Sequence, residues 1–404
     1  MADILIYDNG LALEIARILG KKHNVKYYIE DISLKISDAA AGFGFDEITK
    51  IEEISYSHFN QSDYIFFFDS FGFLVDLLSR LFPSKIIGTP SSIEIFEFDR
   101  VRFKKLLKSY NLKYPKTYVF KGVDTLLNFL KKEENKWKDF YIKINKYRGS
   151  FETFKVKNYI EAQNYLLQTD IIALKDNIKL IVEEPVSGIE FGIDTFFDGS
   201  NFIRPLHLGI EIKGEGMIGR WLDKIPPLEI HLEKLRNFFK LTNFKGFVSI
   251  EGIWDGTDYF FTDLCARAPF PISHIMGKNI INFDEVLINL AEGYKVELQL
   301  QGRYNIQVEF RLLDDKLYTP VFYPMEIENF LSFMCAIKSN NIVYLLPNSG
   351  ALSLCYWSNN IDDCFENAEK MLPLIEGDNL YYHENILQKL QERINLIRKA
   401  GFTF

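Results

Sequence analysis

Lys143 closes the apolar run Tyr141-Ile142-Lys143 and is followed by the loop Tyr147-Arg148-Gly149-Ser150. An ammonium leaving a strand beside a Gly-Ser turn can hold phosphate, with charge from one side and backbone N–H groups from the other. A surface lysine next to an ordinary turn accounts for the same residues. Val182-Glu183-Glu184-Pro185-Val186 puts a pair of acids at the end of another apolar run. A buried carboxylate there can accept from an adenine amino group, and the backbone around Val186 can mimic base pairing; a solvated strand end is the plainer alternative. Glu251 and Asp263 lie on predicted strands joined by a turn at Gly256, so they can face each other. Opposed carboxylates repel, and a bridging Mg2+ removes that cost. Arg267, shortly after Asp263, can hold an anion near such a metal.

Other patterns carry less. Gly214-Glu215-Gly216-Met217-Ile218-Gly219 has dinucleotide-type glycine spacing and follows a strand. That fingerprint also requires a helix aimed at pyrophosphate, and Pro226-Pro227 leaves room for a single turn only. The segment therefore predicts a mobile glycine loop that lets backbone approach a substrate. No Gly-x-x-x-x-Gly-Lys phosphate loop is present, the six histidines form no metal spacing, and the four cysteines form no paired zinc spacing.

The elements that must position these residues alternate at first between strand and helix. Ile4–Tyr7, Val25–Ile29, Tyr64–Phe68 and Lys85–Gly88 read as short buried strands, with helices at Leu11–Leu19 and Leu74–Phe82. That alternation predicts a parallel sheet covered on both faces, with Asp8-Asn9-Gly10 and Asp69-Ser70-Phe71-Gly72 at its carboxyl ends. Ile93–Tyr110 reads as one amphipathic helix. A small α+β unit follows, with strands at Thr117–Phe120, Phe140–Ile144 and Thr153–Val156 and helices at Thr125–Lys132 and Tyr159–Leu167. Then come antiparallel strands at Lys179–Glu184, Ile189–Phe197, Phe202–Lys213, Gly246–Trp254 and Tyr259–Ala266. Asn385–Ala400 closes the chain as a helix-like stretch. The fold class is thus α/β and α+β: a Rossmann-like domain over 1–92, a central domain over 93–300 whose 115–180 portion forms a small lid, and an α+β domain over 301–404.

Composition sets the broad class. At about 150 residues per domain, 404 residues make two or three domains. Net charge is −8 and no Lys/Arg run exceeds three residues, which argues against coating a nucleic-acid polymer. The longest apolar stretch, Ile65–Phe82, is broken by Asp69, Asp76 and Arg80, so neither a membrane span nor a membrane partner is expected. Met1–Leu19 lacks a basic leader, and unpaired thiols suit a cytoplasmic location.

Taken in order, Lys104, Lys143, Glu183-Glu184, Glu251, Asp263 and Arg267 resemble the ATP-grasp superfamily, and within it glycinamide ribonucleotide synthetase and related carboxylate–amine ligases. Arg100-Val101-Arg102-Phe103-Lys104, followed by Pro115-Lys116-Thr117, is similar to the family's entry helix, which assigns Lys104 to ATP. The resemblance gives Lys143 and Ser150 to phosphate, and Glu183, Glu184 and Val186 to the adenine hinge. It gives Glu190 to ribose, Glu251 and Asp263 to Mg2+, and Arg267 to the reacting acyl phosphate. Lys213 and Arg220, flanking the glycine segment, are then expected to take the substrate's own anion. The chain departs from the family where Asp263 replaces a longer acid and Cys265 stands in place of an amide ligand. The resemblance implies an ATP- and Mg2+-dependent, ADP-forming ligase acting on a small-molecule carboxylate and amine, with a homodimer as one assembly. Two other classes stay open: an ATP-binding homologue with lost or altered catalysis, and a kinase or carboxylase on the same fold.

Overall fold

The computed structural model describes residues 1–30, 39–132, 139–146, 153–168, 178–348 and 350–404. Its first sheet is built from β1 (Asp3–Asp8), β2 (Asn24–Ile29), β3 (Thr49–Ile51), β4 (Tyr64–Phe67) and β5 (Ile86–Ile87), in the order β3-β2-β1-β4-β5. All four pairings are parallel. Alternate residues of β1 enter different cores: Ile4 and Ile6 one, Leu5 and Tyr7 the other. Burial on both faces explains why these strands read as unbroken apolar runs. Asp8, at the carboxyl end of β1, is fully buried and accepts from the Gly10 and Ala12 amides (2.9 and 2.8 Å) and the Tyr27 hydroxyl (2.7 Å). β3 carries only three residues, too few for an alternating pattern to mark it in the sequence.

The predicted helix over 93–110 is in fact two, Ser91–Phe98 and Arg100–Ser109. Asp99 breaks it, because its carboxylate caps the second helix by accepting from the Arg102 amide at 3.2 Å. The small unit that follows contains β6 (Thr117–Lys121), β7 (Phe140–Ile144), β8 (Thr153–Val156) and β9 (Lys179–Glu183), ordered β6-β9-β7-β8. Helices Val123–Lys132 and Tyr159–Gln168 cover it, and its apolar residues form a core of their own.

The remaining strands are β10 (Ile189–Phe197), β11 (Leu206–Ile212), β12 (Gly216–Leu222), β13 (Gly246–Trp254), β14 (Tyr259–Cys265), β15 (Tyr304–Leu312), β16 (Thr319–Val321), β17 (Leu331–Met334), β18 (Ala336–Ser339), β19 (Ile342–Leu345), β20 (Ala351–Ser358) and β21 (Leu380–Tyr381). Eight of them follow the path β14-β13-β10-β11-β12-β15-β20-β17, with β21 added beside β15. One sheet therefore runs through residue 300, since Gly216–Arg220 of β12 pairs with Tyr304–Val308 of β15. The glycine segment is not a mobile loop: Gly214-Glu215 makes the turn between β11 and β12, and Gly216–Gly219 is strand. Gly219 is required because a Cβ there would lie 2.0 Å from His207 Nε2. Among the described residues no helix is long and apolar enough to cross a membrane.

Candidate functional site

A charged cluster joins the entry helix, the small sheet and the large sheet. Lys104, on helix Arg100–Ser109, is buried, lies 3.0 Å from Glu183 Oε1 and donates to the carbonyls of Phe261 and Thr262 at 3.2 and 3.1 Å. Lys143, on β7, lies 3.3 Å from Glu183 Oε2 and 2.9 Å from Asp263 Oδ2. Arg100 Nε reaches Asp263 Oδ1 at 3.2 Å. β9 sits between β6 and β7, which places Glu183 opposite Tyr141, two residues before Lys143. Burial acts against every charge in this cluster. It raises Glu183, but Lys143 and Lys104 outweigh it and hold the carboxyl below its ordinary value. Asp263 is likewise held well below its ordinary value by Lys143, Arg100 and Lys104. Burial lowers Lys143, yet Asp263 and Glu183 leave it above the usual lysine range; Lys104 ends below it.

Glu251 and Asp263 are direct partners in the β13–β14 register, next to a bulge after Glu251. The expected opposition of carboxylates is therefore present. Glu251 is pushed up to about 8, first by loss of water and then by Asp263, Glu211, Glu190 and Asp194. Its side chain is solvent-exposed, although the surrounding protein strips part of its hydration. Among the described residues no three His, Cys, Asp or Glu side chains stand together as a metal cage. The pair still fits Mg2+ as two oxygen ligands, because this ion keeps waters and takes phosphate oxygens for the rest of its shell. Cys265 does not fit: burial pushes its thiol up, and its Sγ faces the Arg267 carbonyl at 3.7 Å.

The other expected residues divide. Glu184 is bonded to Lys116 Nζ at 2.7 Å and the Tyr118 hydroxyl at 2.8 Å, and its amide donates to the Lys116 carbonyl, so it braces the edge of the small sheet. Val186 lies in the link between β9 and β10, and Glu190 is exposed on the face of β10 that also carries Gly192 and Asp194. Ser150 lies outside the described residues, as does the rest of the Tyr147-Arg148-Gly149-Ser150 loop. Arg267 reaches helix Ser91–Phe98 and the carboxyl end of β4, with Nη2 2.8 Å from Glu97 and Nε 3.2 Å from Asp69. Lys213 is exposed just beyond β11 and offsets the charge of Glu190 and Glu211. Arg220 corrects the reading. Register sets Glu251, Gly192, Gly209 and Gly219 in one row, and Ile250, Ile193, Leu208 and Arg220 in the next. Arg220 therefore projects from the opposite face, where it stacks 4.8 Å over the Tyr304 ring.

Sequence reasoning missed Arg100, Asp194, His207 and Glu211. Asp194 and His207 are fully buried and bonded to each other at 3.1 Å, and His207 Nε2 continues to Asn305 Oδ1 at 3.1 Å. The signal was available: Glu190, Gly192 and Asp194 on β10, and His207, Gly209 and Glu211 on β11, are alternate residues and so define one non-aliphatic face. Glu211 is pushed up to about 7 by burial and then by Glu309. Between the unfolded glutamate value of about 4.5 and that value the folded chain binds the extra proton. Stability contributed by this group should therefore fall as pH rises through that window. We expect Glu211→Gln to flatten the fall in melting temperature between pH ~4.5 and ~7. An unchanged slope would sink that assignment.

No protein-family model and no curated protein matches the sequence. Solved structures do match. Phosphoribosylamine–glycine ligase of Thermotoga maritima superposes with a TM-score of 0.73 at 14% identity, over 94% of this chain and 98% of that one. Biotin carboxylase of Campylobacter jejuni gives 0.66 at 13% identity, over 99% and 97%. N5-carboxyaminoimidazole ribonucleotide synthetase of Thermotoga maritima gives 0.60 at 15% identity, over 95% and 100%. The shared architecture is the ATP-grasp fold, and the likeness singles out no one member.

Proposed function

We propose that this chain is an ATP-dependent, ADP-forming ligase that joins a small carboxylate to an amine through an acyl phosphate. The observation that carries this reading is the convergence of Lys104 and Lys143, from separate elements, on Glu183 and Asp263 beside Glu251. Burying two ammonium groups is expensive, and a triphosphate is the kind of ligand that makes use of both. In the first step a carboxylate oxygen attacks the γ-phosphorus and ADP leaves. In the second, the amine nitrogen bonds to the acyl carbon, phosphate departs and the nitrogen loses a proton. Such chemistry needs positioning and charge neutralisation more than proton-transfer residues.

Lys104 and Lys143 would hold phosphate oxygens, and Glu190 the ribose. Arg267 would orient the acyl phosphate once nucleotide charge competes with Asp69 and Glu97. Mg2+ held by Glu251 and Asp263 would supply charge neutralisation at the phosphates. A carboxylase shares the first step, with bicarbonate as the acid, so the two differ only in the acceptor. An ATP-binding homologue without turnover is favoured by one observation, that Asp263 is already paired with Lys143 and Arg100.

The deciding experiment follows ADP release with Mg2+ over a panel of carboxylates, bicarbonate and amines, with hydroxylamine added to trap an acyl phosphate. Acid-dependent ADP release with a trapped hydroxamate supports the ligase. ATP binding without ADP release under any combination supports the binding protein. In the same assay Cys265→Ala should turn over near the wild-type rate, because water can complete the metal shell. A collapse in rate at unchanged melting temperature would instead make the thiol part of the chemistry.

A further inference from the structure

One glycine on the face of β10 that carries Glu190 and Asp194 is not required by the fold. Among the described residues, every other glycine either has a positive φ or would bring a Cβ to 3.2 Å or closer to a neighbour. At Gly192 the nearest atoms would be Ile250 O at 3.8 Å, then Asp194 Oδ2 and Gly209 O at 4.0 Å. A glycine inside a strand gives up packing and chain stiffness, so one with room for a side chain keeps a space open.

The walls of that space are polar and negative. Glu251 is the register partner of Gly192, Glu190 and Asp194 are two residues away on the same face, and Ser249 is the partner of Asp194. Glu211 stands on the neighbouring strand two residues from Gly209. Asp194 Oδ1 and Ser249 Oγ are buried, on this face, and without a hydrogen-bond partner among the described residues. Repulsion among these acids excludes a phosphate seated directly against them and favours a cation with several N–H donors.

We propose that the space over Gly192, closed by Asp194 and Ser249, seats the ammonium group of a small primary amine, the co-substrate of the ligase proposed above. Its N–H groups meet Asp194 Oδ1, Ser249 Oγ and the carboxylates on either side. From this seat, next to Glu251, the nitrogen becomes a nucleophile once one N–H proton passes to a neighbouring carboxylate, and it loses a second proton as the amide forms and phosphate departs.

The probe is methylammonium chloride, compared with sodium chloride at equal ionic strength and with MgCl2, following melting temperature with and without ATP. Gly192→Val fills the space, and Ser249→Ala removes a hydroxyl without a hydrogen-bond partner among the described residues, so at least the second variant keeps its fold. The expected result is a rise in wild-type melting temperature specific to methylammonium, with affinity weakened about tenfold or more in both variants and ATP affinity by calorimetry unchanged. No methylammonium effect beyond that of sodium overturns the proposal, as does an effect that survives in both variants. A variant-sensitive rise given by Mg2+ alone also overturns it, by making the space a metal site. Wild-type protein that takes methylammonium but not ATP keeps the ammonium seat and overturns the ligase reading.

Discussion

Glu251→Gln and Asp263→Asn should each lower ADP formation by about 100-fold or more, the scale of losing one preorganised electrostatic group. Each change keeps size and removes a negative ligand from the pair that faces across β13 and β14. The variants should differ in stability. Asp263 also neutralises Lys143 and Arg100, so Asp263→Asn leaves Lys143 with Glu183 as its remaining acid among the described residues. Its carboxylate is about one-third exposed, so the cost should stay below the ~3–5 kcal/mol of breaking a fully buried pair. Glu251 is disfavoured as an anion first by burial and then by Asp263, Glu211 and Glu190, so Glu251→Gln should raise the melting temperature at pH values above the unfolded glutamate value of about 4.5. Steady-state ADP formation and thermal melting on both proteins separate these effects. Wild-type turnover in both would remove the metal assignment and most of the catalytic reading.

Lys143→Ala should weaken ATP binding by more than about tenfold, through loss of one charge-assisted contact. The fold survives because Glu183 keeps Lys104 at 3.0 Å. Lys143→Arg should recover part of the affinity, since the positive charge stays within reach of phosphate. Calorimetry with ATP and with adenosine makes the test specific: the loss should appear for the nucleotide and vanish for the nucleoside. Equal losses for both would mean that Lys143 acts by holding β7 and β9 in place.

Much of this arrangement is legible in the chain. Phe140–Ile144, Thr153–Val156, Ile189–Phe197 and Gly246–Trp254 are strands to the residue, because apolar patterning and turn residues agree at their ends. The opposition of Glu251 and Asp263 is legible only in part: the register set by the turn at Gly256 would pair Glu251 with Thr262, and a bulge after Glu251 shifts it by one to bring Asp263 opposite. What escapes is set by contacts distant in sequence. Nothing local tells that Glu183 spends both carboxylate oxygens on lysines from two other elements, or that Arg100 reaches Asp263 from 163 positions away. Asp99 reads as one more charge on an amphipathic helix until its capping bond is seen. Arg220 fails for a different reason: flanking a glycine segment suggested access to substrate, whereas strand alternation assigns it to the other face.

The union of β12 with β15 also bears on how far the chain can be divided. The last hundred residues contribute β15, β20 and β17 to the sheet whose other end carries Glu251 and Asp263. They cannot be grafted or exchanged like a cassette joined by a linker. A chain cut at residue 300 would leave Gly216–Arg220 as a bare edge, with amides and carbonyls free to recruit foreign strands. Any recombination that swaps the C-terminal region must therefore supply a strand in the register of Tyr304–Val308, which ties the inheritance of both halves together.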